Sequence, residues 1–358
     1  MQDTNDSLVK SLFRPIVRKL DDPRLAAYHS YIDTEVAEIA CSQSLPFAVS
    51  PQLLNIASAD PADPVLRQFI PDRQELIHLK TEAPDPLGEN NHSMLPGLIH
   101  QYPSRVLVRA NSECAAYCRF CYRRSLQHSR RGFISETEQK NICDYLRTKR
   151  TEVTEILVSG GDPLFASNGM IEKLLMGLRQ SLPEAIIRLC TRMPIVVPER
   201  IDALTARLLA DFKPLLVVLH CNHPAELASA QMAAIRQLQN AGVQLISQTV
   251  LLRDINDSAE ILERLFTSLI RLGVQPYYLF QGDLASGTAH FRVPLSAGLS
   301  LYSELRKRLS GLALPRFAVD APGGKGKMYL PEDIVKKTAE GWLLRNAFGH
   351  EAIYPEES

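Results

Sequence analysis

The sequence predicts an α/β fold, a partial (β/α)6 barrel with a helical N-terminal extension and a short C-terminal segment. Two observations carry this. Short apolar, β-branched runs recur at 106–109, 153–158, 185–190, 215–220, 244–250 and 275–280, and amphipathic helical stretches such as 170–182, 225–241 and 259–272 lie between them. Strands alternating with helices imply parallel βαβ units. Six such units favour a partial barrel over a flat sheet. A further run at 316–320 can add an edge strand.

Residues 1–95 read as a helical and irregular N-terminal region rich in Asp, Pro and Gln, with short helices expected at 24–39 and 64–70. The turn formers of 82–91 mark its boundary. Residues 96–315 form the barrel, and 316–358 a C-terminal segment that carries a glycine-rich, lysine-bearing loop and a tail.

Composition narrows the class. With 45% hydrophobic and 22% charged residues the chain is globular. Lys+Arg 40 against Asp+Glu 40 leaves no net charge, so no overall field draws in nucleic acid or anionic lipid. The first residues lack the charged and apolar regions of a signal peptide, and no apolar run approaches the ~18 residues of a membrane span. Seven cysteines, an odd number and mostly scattered, argue against a disulfide framework and for a cytoplasmic location.

Only Cys114, Cys118 and Cys121 cluster, in a loop just after the first strand. Three thiolates at the spacing C-x-x-x-C-x-x-C can hold three irons of a [4Fe–4S] cube and leave the fourth open to a small molecule, where a full set would be four cysteines. The alternative is a zinc site completed by His128, although zinc sites usually add a second cysteine or histidine pair. Polar residues also fall where parallel barrels gather their chemistry, at the C-terminal ends of strands. Asn111 follows the first strand, Ser159-Gly160-Gly161-Asp162-Pro163 the second, Thr191-Arg192 the third and His220 the fourth. Gln248 and Asp283 come at the fifth and sixth.

The cysteine spacing, with an aromatic residue after the third cysteine, resembles the signature of the radical SAM superfamily. Pro96-Gly-Leu-Ile-His-Gln-Tyr-Pro103, Cys118-Arg-Phe-Cys-Tyr-Arg-Arg124, Ser159-Gly-Gly-Asp-Pro163, Asn222-His-Pro224, Pro276-Tyr-Tyr278, His290-Phe-Arg292 and Asp320-Ala-Pro-Gly-Gly324 look like the lysine 2,3-aminomutase family, over residues 85 to 349. The resemblance implies three cofactors: the [4Fe–4S] cluster, S-adenosyl-L-methionine and pyridoxal 5′-phosphate. It places Gly160, Gly161, Asp162, Arg192, His220 and Gln248 at S-adenosylmethionine, with Asp162 on the methionyl amino group. It assigns Tyr102 and Arg105 to the pyridoxal phosphate, and Lys327, seven residues after Asp320, as the catalytic lysine that links to it. Lys325, Gln101 and Phe280 depart from the family pattern, which has glycine, arginine and tyrosine there. Arg123 is expected to grip the substrate carboxylate with its planar fork, and Asp283 with Asp320 to hold a substrate ammonium. Arg119 and Arg124 are read as structural or cluster-solvating.

The implied reaction is a 1,2-amino migration converting L-lysine to β-lysine, fed by an electron donor such as flavodoxin or ferredoxin. Arginine is a further cationic substrate compatible with the two aspartates. A homo-oligomer is expected, without the C-terminal zinc site of larger relatives. The same chemistry also serves the pathway that attaches β-lysine to elongation factor P.

Overall fold

A computed structural model describes residues 9, 11–28, 32–43, 45–125 and 132–356; His128 lies outside them. The strands are β1 (Ser93–Leu95), β2 (Leu98–Tyr102), β3 (Arg105–Asn111), β4 (Glu155–Gly160), β5 (Ile186–Thr191), β6 (Leu215–His220), β7 (Gln244–Val250), β8 (Gln275–Phe280), β9 (Arg316–Ala321), β10 (Gly326–Tyr329), β11 (Ile334–Thr338), β12 (Gly341–Arg345) and β13 (Glu351–Tyr354). The helices are α1 (Thr34–Gln43), α2 (Pro51–Ile56), α3 (Glu136–Thr148), α4 (Asn168–Ser181), α5 (Met193–Val196), α6 (Ala203–Ala210), α7 (Ser229–Asn240), α8 (Ala259–Arg271) and α9 (Leu295–Arg308).

Strands β1 to β10 form one sheet in chain order. All neighbours from β3 to β9 pair in parallel. Each strand lies beside its predecessor, which is the winding of an open barrel; a doubly wound sheet reverses its order midway. The run at 316–320 is not an edge, because β9 pairs in parallel with β8 and antiparallel with β10. The parallel set therefore has one more strand than the six expected.

The local sequence explains the crossovers. Ser135 caps α3 in a capping box with Glu138, Ser167 caps α4 and Asp202 caps α6, each satisfying a backbone N–H that a helix start leaves unpaired. Burial alternates along the strands. On β3, Val106, Val108 and Ala110 are buried, whereas Arg105, Leu107 and Arg109 are half-buried. On β7, Leu245, Ser247 and Thr249 are buried, and Ile246, Gln248 and Val250 half-buried. The buried set packs under the helices, and the half-buried set lines the inner face where most of the candidate residues stand.

The N-terminal expectations need correction. Residues 24–39 are not one helix: a 3-10 turn (Pro23–Tyr28) precedes α1. Of 64–70 only the turn Leu66–Gln68 is helical. Local carboxylates compete for the backbone here, with Asp63 accepting from the amides of Val65 and Leu66. This region shares one apolar core with the barrel, continuous from Ile16 to Tyr354. The turn-rich residues 82–91 run as a strap over the strand ends, bridged to the segment after β8 through Ala83 and Ala285. The hairpin β1–β2 and the antiparallel sheet β11–β13 were not expected from the sequence. No helix among the described residues is long and apolar enough to cross a membrane.

Candidate active site

The cysteine loop leaves β3 at Asn111, whose side chain joins two loops. Its amide donates to the carbonyls of Asp162 (3.2 Å) and Phe165 (2.9 Å) and its oxygen accepts from the Glu113 amide. The close packing of the two loops explains both glycines at the end of β4. A Cβ on Gly160, whose φ is +124°, would sit 2.1 Å from the Asn111 carbonyl oxygen, and one on Gly161 would sit 2.5 Å from that of Glu113. The close approach that requires glycine here is to the cysteine loop itself.

Cys114, Cys118 and Cys121 are half-exposed residues packed against the main core. Burial, then Asp162 and the other two thiols, pushes the Cys114 pKa well up. Burial, then Cys118, pushes Cys121 to about 11. Among the described residues no set of three His, Cys, Asp or Glu side chains closes around a single metal ion. Three thiolates at the spacing C-x-x-x-C-x-x-C are the donor set for a cluster with one open iron.

Arginines lock this loop in place. Arg119 makes a bidentate pair with Glu75 (2.9 and 2.6 Å), and Arg124 reaches the same carboxylate at 2.5 Å. All three side chains are fully buried. Burial opposes the charge of Glu75, but the two arginines outweigh it and lower its pKa. Arg119 and Arg124, read from the sequence as structural or cluster-solvating, both spend their charge on Glu75 inside the protein. Arg192 donates to the Cys118 sulfur (2.8 Å), Gln68 (2.6 Å) and Glu226 (2.7 Å), which ties the third strand end to the cysteine loop.

The Asp162 carboxylate turns inward. It accepts from the Thr191 hydroxyl (2.7 and 2.9 Å) and from the amides of Arg192 and Leu164. Burial still raises its pKa. Where the sequence put this carboxylate on a methionyl amino group, both its oxygens are taken by protein donors: it clasps the second strand end to the third, and the Gly161 and Asp162 amides bond to the cysteine loop. His220 stands beside Gln248 in the β6–β7 register. Burial, then Arg192, depresses its pKa to about 3, so the ring is neutral. Since the Asn222 side-chain oxygen already accepts from the Val250 amide, His220 Nε2 (3.1 Å away) carries the proton.

The glycine-rich loop is a hairpin. Gly323 and Gly324 turn the chain at φ +71° and +76°, and β10 returns with Lys327 directly opposite Asp320. Directly opposed residues on antiparallel strands present their side chains on one face. The Lys327 ammonium accordingly meets both Asp320 oxygens, at 2.7 and 2.8 Å, over the Phe280 and Tyr278 rings at 4.1 and 4.9 Å. Lys325 is exposed. The Lys327 amide donates to the Tyr102 hydroxyl (2.7 Å), and the Arg105 guanidinium lies 4.3 Å over the Tyr102 ring. Arg105 Nε is buried with no protein partner, which fits an anionic group such as a phosphate beside Lys327. Gln101 donates to the Gly324 carbonyl and seats the turn (2.9 Å). Asp283 lies close by. Burial first, then Asp320, raises its pKa to about 8.

Arg123 differs from expectation. Its bidentate edge grips Glu89, with Nε 3.1 Å from both oxygens and Nη2 2.6 Å from Oε1, and Nη1 donates to Ser159 Oγ and the Gly160 carbonyl. Of five N–H donors these contacts leave one, on Nη2. The fork expected to grip a ligand carboxylate grips a protein carboxylate. Sequence reasoning missed Glu75, Glu82 and Glu89, yet each meets an arginine inside the protein: Glu75 with Arg119 and Arg124, Glu82 with Arg292, and Glu89 with Arg123. For Glu75 and Glu89 the available signal was the run of arginines around the cysteines, which had to find counter-charges.

Comparison with known proteins places this geometry. Residues 104–195 match the model of a 4Fe-4S single cluster domain, and residues 302–358 match the lysine-2,3-aminomutase model. Together with the strand order and cysteine loop they define a radical SAM iron–sulfur protein. A putative L-lysine 2,3-aminomutase of Treponema pallidum is 44% identical over 83% of this chain and 84% of its own length. The L-lysine 2,3-aminomutases of Clostridium subterminale and Bacillus subtilis are 36% and 35% identical, over 88% and 95% of this chain and 76% and 72% of theirs. The chain belongs to the lysine 2,3-aminomutase family.

Proposed function

We propose that this protein is a 2,3-aminomutase that moves the α-amino group of L-lysine to the β-carbon and releases β-lysine. The observation that carries the reading is the Asp320 carboxylate holding an ammonium, here that of Lys327, with the buried Asp283 carboxyl feeling the charge of both. A second cation there would let Asp283 ionise and gain an ion pair, whereas a neutral or acidic side chain would leave it protonated and gain none. The wider fork of arginine needs more room than an ammonium.

In this reading Cys114, Cys118 and Cys121 hold the cluster, and the strand ends bearing Gly160, Gly161, Asp162, Arg192, His220 and Gln248 face S-adenosylmethionine. Asp162 acts there by fixing the strand ends. Tyr102 and Arg105 meet the pyridoxal phosphate, Lys327 links to it, and Arg123 receives the substrate carboxylate. Bound there, the cluster with S-adenosylmethionine supplies a hydrogen-abstracting radical, and pyridoxal 5′-phosphate supplies the carbonyl that carries the migrating amino group. The protein's part is to align the substrate, exclude water and balance charge. Its electron comes from a flavodoxin- or ferredoxin-like carrier. The test is anaerobic reconstitution with iron, sulfide, S-adenosylmethionine and pyridoxal phosphate, followed by labelled lysine or arginine. Formation of β-lysine supports the reading; turnover of arginine alone overturns it.

A further inference from the structure

Glu89 belongs to none of the roles above, yet it is the most heavily engaged acid near the substrate end of the site. Its side chain is 8% exposed. Besides both donors of the Arg123 edge it accepts from the Tyr122 hydroxyl at 3.3 Å, and Arg109 lies 3.9 Å from its other oxygen. Burial disfavours its charge, but Arg123 and then Arg109 outweigh burial and hold it ionised. A carboxylate in such a place is a fixed counter-charge.

We infer that Glu89 is a positioning residue for substrate recognition: it fixes the plane of Arg123 and leaves that arginine one N–H with which to meet the substrate carboxylate. The inference rests on the reading of Arg123 as that carboxylate's partner. An arginine held by Nε, Nη1 and one side of Nη2 cannot rotate about its terminal bonds, so the remaining N–H points in one direction. A carboxylate is then met by a single aimed contact, in a field already half neutralised by Glu89. Recognition at this end depends on direction more than on charge, and the Asp283 and Asp320 end supplies the charge. Glu89 is itself seated by the strap. Asp85 accepts from its amide at 3.0 Å, and a Cβ on Gly88 would come 2.9 Å from the Gly324 amide nitrogen.

The experiment uses the reconstituted holoenzyme and two ligands, L-lysine and 1,5-diaminopentane, which lacks the carboxylate. Equilibrium binding is read by calorimetry, and kcat and KM are measured with lysine. Glu89→Ala is expected to weaken lysine binding and raise KM at least about tenfold, as removal of one partner of a buried charge pair does. Diamine binding, cluster absorbance and kcat should change within about twofold. Glu89→Asp, which keeps the carboxylate, should recover part of the loss. The inference is overturned if lysine and diamine weaken equally with loss of the cluster, which marks a purely structural role, or if Glu89→Ala binds lysine as the wild type does. A wild type that does not distinguish lysine from the diamine overturns the Arg123 reading itself, and the inference with it.

Discussion

The two sides of the barrel mouth are built on opposite principles. On the side of β3 to β6, the cysteine loop is pinned by pairs closed within the protein: Arg119 and Arg124 on Glu75, Arg192 on Glu226, Asp162 on Thr191. On the side of β8 to β10, charges are left poised. Asp283 is raised to about 8, and among the described residues the Asp320 carboxylate is held by a half-buried lysine alone. A group that must hold a reactive cluster the same way in every turnover profits from a closed frame. A group that must recognise a small cation profits from incomplete compensation, because the ligand then completes it.

The comparison can be tested at both ends. The largest effect is expected from Cys114→Ala, which should abolish cluster absorbance and turnover together. Lys327→Ala should remove the visible absorbance of bound pyridoxal phosphate and leave the cluster intact; a normal cofactor spectrum would break the assignment of the open side. Glu75→Ala leaves two buried arginines without their carboxylate and should lower stability by about 3–5 kcal/mol in denaturant titration. If stability is unchanged, the cysteine side is not held as described.

A pH profile sharpens the contrast. The folded pKa of Asp283 lies above its unfolded value, so the native state binds more protons between them. Its contribution to stability therefore falls as pH rises from about 4 to about 8 and is constant outside that window. Asp283→Asn should flatten that slope in the ligand-free protein. Lysine binding below pH 8 should release protons, visible as a dependence of the calorimetric heat on the buffer. The smallest effect belongs to Lys325→Ala, which should change stability by no more than about 0.5 kcal/mol and leave both spectra unaltered.

Much of this was legible in the sequence, for identifiable reasons. Short runs rich in β-branched, apolar and aromatic residues stand out between amphipathic helices, so β6, β7 and β8 fall at 215–220, 244–250 and 275–280 as expected. Strand ends carry the polar residues in any parallel barrel, which located Asn111, Asp162, Arg192 and His220. The short antiparallel pieces were not legible. β11 carries adjacent lysines, and β2 lies in a stretch that reads as a motif. The direction of side chains was hidden as well. Nothing local tells that Asp162 faces Thr191 or that Arg123 grips Glu89, because those partners lie 29 and 34 residues away. The pairing of Lys327 with Asp320 was within reach, since a tight turn between residues seven apart brings them opposite one another.

The strap, taken with the turn before it that carries Glu75, has a consequence of length. Glu75, Glu82 and Glu89 follow one another at equal intervals, and their partners sit on two separate segments, the cysteine loop and the turn after β8. The segment therefore works as a ruler laid across the mouth, with three marks that must meet three fixed points. Removing one residue between the second and third marks would keep every charge in the protein and still unseat one mark. Spacing in this stretch is as restricted as composition, although its run of turn-forming residues reads as the most permissive part of the chain.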